Sequence, residues 1–237
     1  MGKSNIWMAF SDLMTGLMII FLFIAVAYMI EVDRKNQQIK EQIAELDEFV
    51  QTRQKLHDKL KNEFRGDTTK WSVGKDLSIK FNNQTILFDP AKWELTPDFK
   101  SMLDDFLPRY FDILLKDTLS GSITEVRIEG HTDDVPFPTL NEDPYIANVI
   151  LSQRRSLSVL LYFQSMPAYQ RYTNEEKRKL EFWLTANGLS FGKALDKSGD
   201  FVNTSKKPID RDKSRRVEFR IVTNDIGVVK KILKMDN

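Results

Sequence analysis

The sequence predicts an α/β domain, an α+β two-layer sandwich with helices on one face of a sheet, preceded by one transmembrane helix and a coiled-coil-like helix. Three observations predict it. Residues 6–30 are apolar apart from one carboxylate. Residues 39–64 repeat apolar positions at spacings of four and three. From residue 71 onward, alternating runs interleave with long helical patterns, which is how a sheet packed against helices reads.

The first element runs from Ile6 to Ile30, with Asp12 as its only charge. At helical rise it covers about 37 Å, enough to cross a hydrocarbon core of about 30 Å with some tilt. Lys3 alone precedes it, no small-residue cleavage site follows and a carboxylate interrupts it, so it reads as an anchor rather than a cleaved signal peptide. Ile6 also breaks the myristoylation pattern. Lys3 argues for a cytoplasmic segment over residues 1–5, since the far flank mixes Arg34 and Lys35 with Glu31 and Asp33. Asp12 costs roughly 2.5–3.5 kcal/mol if it is buried in mid-membrane. Tilt could place it among headgroups; otherwise it faces a partner helix or a narrow water path. Thr15, Gly16 and Ile19 share its face, and Gly16 permits close approach of another helix. A lone helix builds no ion path, so an ion-carrying Asp12 requires a membrane partner.

The second element covers residues 31–66. Ile39, Ile43, Leu46 and Val50, then Leu60 and Phe64, follow a heptad, with Arg53 and His57 at the intervening seam positions. Backward continuation lands on Val32 and Met29. A heptad seam on a single-pass chain predicts a parallel homodimer; the alternative is a helix packed on its own domain. His57 has no ligand-like neighbour at helical spacing, so no metal is expected there.

The third element is a domain over residues 71–225, followed by a tail at 226–237. Leu77, Ile79 and Phe81 alternate with polar residues, and Asn82-Asn83-Gln84 turns the chain into a second strand over 85–88. Thr96-Pro97 starts a helix that runs to Lys116, and Ile123 to Glu129 forms a strand. Ala147 to Gln164 is a helix whose apolar residues are Val149, Ile150, Leu157, Leu160 and Leu161. Val217, Phe219 and Ile221 alternate in a last strand over 216–222.

Charge is nearly balanced, 35 basic against 34 acidic residues, which gives no electrostatic case for a nucleic-acid partner. The absence of cysteine excludes disulfides and thiolate metal sites, and no cofactor or metal motif is found. Two segments carry possible chemistry. Glu129 to Pro136 (EGHTDDVP) ends a strand with a histidine and two aspartates, and Asn148 to Arg155 (NVILSQRR) opens a helix with two arginines. Together they offer a carboxylate for an ammonium and a guanidinium for a carboxylate, a clamp for a zwitterion. Solvated loop and helix residues are an equally good reading of the spacing alone. A hydrolase built on His131 and Asp133 lacks a nucleophile, so no enzymatic activity is expected.

FDPAKWELTP (88–97), IEGHTDDVP (128–136), NVILSQRR (148–155) and SRRVEFRI (214–221) resemble, in this order, the OmpA-like peptidoglycan-binding domain. The resemblance covers residues 77–223 and implies a two-layer α/β fold that binds the diaminopimelate unit of peptidoglycan. It implies that Asp133 and Arg155 hold that unit and that Asn148 is the motif asparagine. It also implies a periplasmic domain on an inner-membrane, single-pass chain with a cytoplasmic N-terminus. Two departures stand out: an extra helical stretch over 172–195, expected to reshape the groove, and Ser214 where the family carries asparagine.

Trp7, a short spacer, Asp12-Leu13-Met14-Thr15 and a phenylalanine-rich run resemble the B subunit of ion-driven stators. Trp7 lies five residues before Asp12, and the run ends AVAYM without tryptophan, which is more similar to the B subunit of the Zorya anti-phage defence motor than to the flagellar one. That resemblance implies that Asp12 carries protons (or sodium ions), and that two copies sit within a pentameric ring of A subunits, a 5:2 complex. A flagellar stator subunit and a static wall anchor are the alternatives.

Overall fold

The computed structural model describes residues 3–67, 70–81, 87–116, 118–135 and 143–224. The chain divides into two compact units, one containing residues 1–50 and the other Gln51–Asp225. The expected turn at 82–84, most of the second strand and the C-terminal tail lie outside the described residues.

Helix α1 (Lys3–Glu63) supplies the first unit and the opening of the second. It is the one described helix long and apolar enough to cross a membrane. Every residue from 7 to 30 is exposed in the single chain, as a surface meant for lipid or protein must be. The heptad positions divide between two fates. Ile39, Ile43, Leu46 and Val50 remain 45 to 61% exposed. Leu60 and Phe64, together with Leu56, are fully buried in the core of the second unit. The core of the second unit thus begins within α1, and the last two seam positions, Leu60 and Phe64, contribute to it. Arg109 closes that end, with Nη2 donating to the Glu63 carbonyl (2.6 Å) and Nε to its carboxylate (2.8 Å).

The second unit is a five-stranded sheet in the order β1-β2-β5-β3-β4. Its strands are β1 (Trp71–Val73), β2 (Ser78–Phe81), β3 (Ile123–His131), β4 (Leu184–Gly188) and β5 (Arg216–Thr223). All neighbours are antiparallel except β3 and β4. β1 pairs with β2 through a tight turn in which Gly74 N donates to Ser78 O (2.7 Å). Phe88, at the end of the expected second strand, forms an isolated antiparallel bridge with Leu95.

Alternation decides the two faces. Ile79, Phe81, Val126, Ile128, Val217, Phe219 and Ile221 join one core with α2 (Pro97–Lys116) and α3 (Pro144–Ser165). Aromatic rings fill its centre: Phe106 lies 5.0 to 5.7 Å from Phe64, Trp71, Phe81, Tyr110 and Phe219. Thr96 caps α2 by accepting from Phe99 N (3.1 Å), with Pro97 at the first turn, where its missing N–H is harmless.

Helix α3 departs from expectation in its buried side. Leu157 and Leu161 are exposed, while Asn148, Leu151, Ser152, Arg155, Ser156, Val159 and Phe163 are buried. Of the polar members of that stripe, Asn148 and Ser152 bond to the segments that follow β3 and β4, and Arg155 bonds to the Lys92 carbonyl in the segment before α2. After the one-turn α4 (Pro167–Gln170), α5 (Asn174–Trp183) begins with a Thr173–Glu176 capping box. The expected helix over 172–195 stops there: LTANG forms β4, parallel to β3. β4 is an edge strand, and the Gln153 side chain satisfies its outer backbone by donating to Ala186 O (2.9 Å) and accepting from Gly188 N (2.7 Å).

Candidate functional site

A close contact between strand and helix positions the site. At Gly130 an added Cβ would lie 2.2 Å from the Ser152 carbonyl oxygen, so only glycine lets α3 cross β3 at this distance. One residue beyond the end of β3, Thr132 N donates to Ser190 O (2.9 Å), which ties the loop to the segment after β4. Asp143 caps α3 by accepting from Tyr145 N and Ile146 N. Asn148, in the first turns of α3, then donates from Nδ2 to Val135 O (3.0 Å), holding the Thr-Asp-Asp-Val loop against the helix.

Asp133 and Arg155 are thereby brought together. Asp133 is 5% exposed; its Oδ1 accepts from Val135 N (3.1 Å) and its Oδ2 from Arg215 Nη1 (2.7 Å). Arg155, 6% exposed, donates from Nε to Lys92 O (2.9 Å), and its guanidinium sits 4.9 Å from the Phe88 ring centre. The FDPAKWELTP motif is thus the wall of the site: it supplies the carbonyl and the ring that orient Arg155. The terminal nitrogens of Arg155 have no hydrogen bond among the described residues. Burial pulls the Arg155 pKa down to about 10; the Asp133 charge opposes that shift and the Arg215 charge adds to it.

Asp133, Asn148 and Arg155 therefore meet in one place. The sequence reading missed Arg215. Its signal was the Arg-Arg pair that opens β5, whose second member, Arg216, turns to a different partner. One buried carboxylate beside two guanidiniums suits a ligand group carrying both an ammonium and a carboxylate. Asp134 is turned away, paired with Arg211 at 2.9 Å, which holds its carboxyl below the usual range. It borders a cleft of about 300 Å³ lined by residues of the segment between β4 and β5, including Phe191 and Val202.

A second cluster lies on the sheet face opposite the aromatic core. Glu129, His131 and Glu218 are buried, with candidate ligand atoms within 4.8 Å of one another. Their charges are already met. Arg216 Nε is 2.5 Å from Glu218, Arg220 bridges Glu218 (3.0 Å) and Glu129 (3.2 Å), and Lys193 reaches Glu129 at 3.3 Å. Adding a dication to two carboxylates that already face these cations is electrostatically unfavourable, so the cluster reads as an ion-pair lock on the β3–β5 pairing, in which Glu129 stands directly opposite Glu218. His131, 1% exposed, lies within this lock.

Asp12 belongs to the first unit. It is exposed in the single chain, one residue from Ser11, whose carbonyl accepts from Thr15 Oγ1 (2.9 Å).

No protein-family model matches the chain. A Zorya protein ZorB from Escherichia coli is 37% identical over 233 residues, covering 96% of this chain and 92% of its own length. The chain belongs to the ZorB family. A second Escherichia coli ZorB, from an O139:H28 strain, is 22% identical over 228 residues, covering 93% of this chain and 81% of that protein. Among solved structures, a putative MotB-like protein from Desulfovibrio vulgaris aligns with TM-score 0.48 and 23% identity, covering 75% of this ZorB-family chain and 94% of its own. The cell wall anchor of the T6SS from Pseudomonas aeruginosa aligns with TM-score 0.43 and 21% identity, covering 69% and 96%.

Proposed function

We propose that this ZorB-family chain is the wall-anchored B subunit of an ion-driven inner-membrane motor in anti-phage defence, with Asp12 as the proton carrier. The observation that carries this reading is Asp12 itself, the sole charge between residues 6 and 30 of α1, where every residue from 7 to 30 is uncovered in the single chain. Two copies form an axle through the exposed seam at Ile39, Ile43, Leu46 and Val50, and their Asp12 side chains face a ring of five A subunits. A proton entering from the periplasm neutralises Asp12, changes its contact with the ring and leaves on the cytoplasmic side. One charge crossing 100 mV releases about 2.3 kcal/mol, the same order as the roughly 2.5–3.5 kcal/mol cost of placing the carboxylate in mid-membrane. The step is therefore reversible enough to cycle.

The domain lies in the periplasm and holds the wall, with the segment before the helix in the cytoplasm. Asp133 takes the ammonium and Arg155 the carboxylate of a diaminopimelate side chain, while Asn148 positions their loop. The role we propose for this site is binding rather than turnover; His131 is buried beside Glu129 on the sheet face opposite the aromatic core.

The test uses the complete operon in a phage-sensitive host, comparing plaquing efficiency for the wild type and Asp12→Asn with a membrane blot for equal insertion. Loss of protection in the variant is expected. Retained protection at equal membrane level would replace the motor with a static wall anchor.

A further inference from the structure

The free site holds more positive charge than wall binding alone requires. Asp133 is engaged at both oxygens, and one of its partners, Arg215, occupies the place that a ligand ammonium must take. Arg155 stands beside the same carboxylate. Asp134 offers no relief, since Arg211 holds it.

The two guanidiniums differ in freedom. Arg155 is buried, pinned at Nε by Lys92 O and covered by the Phe88 ring. Arg215 sits at the junction between a one-turn helix, Arg211–Ser214, and β5, with its side chain 41% exposed. Its Nη2 already reaches Asp212, whose side chain is 80% exposed. Arg215 can therefore swing away from Asp133, and Arg155 cannot.

An ammonium with no carboxylate beside it would displace Arg215 from Asp133 and leave surplus positive charge in a partly desolvated site. An ammonium and a carboxylate on one carbon avoid that: the first replaces Arg215 on Asp133, and the second receives the released Arg215 together with Arg155.

We propose that Arg215 is the specificity-determining residue of this site, an exchangeable counter-ion that leaves Asp133 only for a ligand bringing its own carboxylate. The site then accepts the free amino-acid end of a diamino diacid in a wall peptide and rejects the bare amine of a lysine in the same position. This inference rests on the wall-binding reading above.

Two synthetic tripeptides test it, Ala-γGlu-diaminopimelate and Ala-γGlu-lysine, each amidated at the main-chain carboxyl so that they differ only in the carboxylate beside the distal ammonium. Affinities are measured on the detergent-solubilised full chain. The wild type is expected to prefer the diaminopimelate peptide by about 30-fold or more, within the range two charge-assisted contacts provide. Arg215→Gln should lower that ratio at least about fivefold, chiefly by tightening the lysine peptide, because Asp133 is freed. Arg215→Lys keeps the charge without the fork that spans Asp133 and Asp212, and should fall between the two. A wild-type ratio in Arg215→Gln overturns the proposal; should that variant not fold, a wild-type ratio in Arg215→Lys does so. A wild type that takes up neither peptide overturns the wall-binding reading, and the proposal with it.

Discussion

Replacing Gly130 with alanine should damage both the stability of the domain and its ligand site. The new Cβ would lie 2.2 Å from the Ser152 oxygen and 3.1 Å from its carbonyl carbon, against 3.4–4 Å for ordinary contact. Both atoms are backbone, so no side-chain rotation relieves the clash, and α3 must lift from β3 by roughly 1 Å. Overpacking of this kind costs about 1–3 kcal/mol, and a backbone clash belongs in the upper part of that range. At about 2–4 °C per kcal/mol for a chain of this size, the melting temperature should fall by roughly 5–10 °C. The same lift separates Arg155, three residues after Ser152, from Asp133, three residues after Gly130. Wall binding should therefore drop at least about tenfold even at temperatures where the variant is folded. Thermal unfolding by intrinsic fluorescence and co-sedimentation with purified cell wall read the two effects. A variant that melts within about 1 °C of wild type and binds equally well would refute the idea that this glycine sets the strand–helix distance.

Three further outcomes are expected. Leu60→Ala should destabilise the domain by about 2–5 kcal/mol, whereas Ile43→Asp with Leu46→Asp should leave domain unfolding unchanged and abolish crosslinking between copies; the reverse pattern would mean the seam is divided elsewhere. Arg155→Lys should weaken wall binding about tenfold or more, since an ammonium has neither the Nε donor for Lys92 O nor the planar fork; full binding by this variant would argue against Arg155 as the carboxylate partner. Stability should fall with acid in two stages. Burial holds the folded His131 pKa below its ordinary value, so the unfolded chain takes up the extra proton first, as pH drops through about 6.5. Burial alone would raise the Glu129 pKa, but His131, Arg220 and Lys193 outweigh it and hold it at about 2, so its contribution is present above about pH 4.5 and is lost toward pH 2. Urea midpoints of wild type and Glu129→Gln across pH 7 to 3 check this. The variant should lose the lower stage, and an unchanged profile would remove Glu129 from the account.

Sequence by itself determined the features that depend on local pattern. A long run of apolar residues with one carboxylate, a heptad and two-residue alternation in β2, β3 and β5 are each legible because chain geometry repeats with a fixed period. The motif segments around Asp133 and Arg155 were legible too, since strand ends and helix starts carry characteristic residues. What could not be read is which surface each pattern meets. Leu60 and Phe64 continue the heptad yet enter the domain core, while Ile39 to Val50 do not, and nothing in the spacing separates them. In α3 Leu157 and Leu161 are exposed, while Asn148, Ser152 and Arg155 are buried in the same stripe as Leu151, Val159 and Phe163, which the apolar pattern does not show. LTANG became a strand because β3 offered it a parallel edge, and Gln153 closed the other side. Arg215 and Arg216 are adjacent and chemically identical, yet one joins Asp133 and the other Glu218, because consecutive side chains entering a strand point opposite ways. Burial and pairing are properties of two surfaces in contact, and a linear pattern describes only one of them.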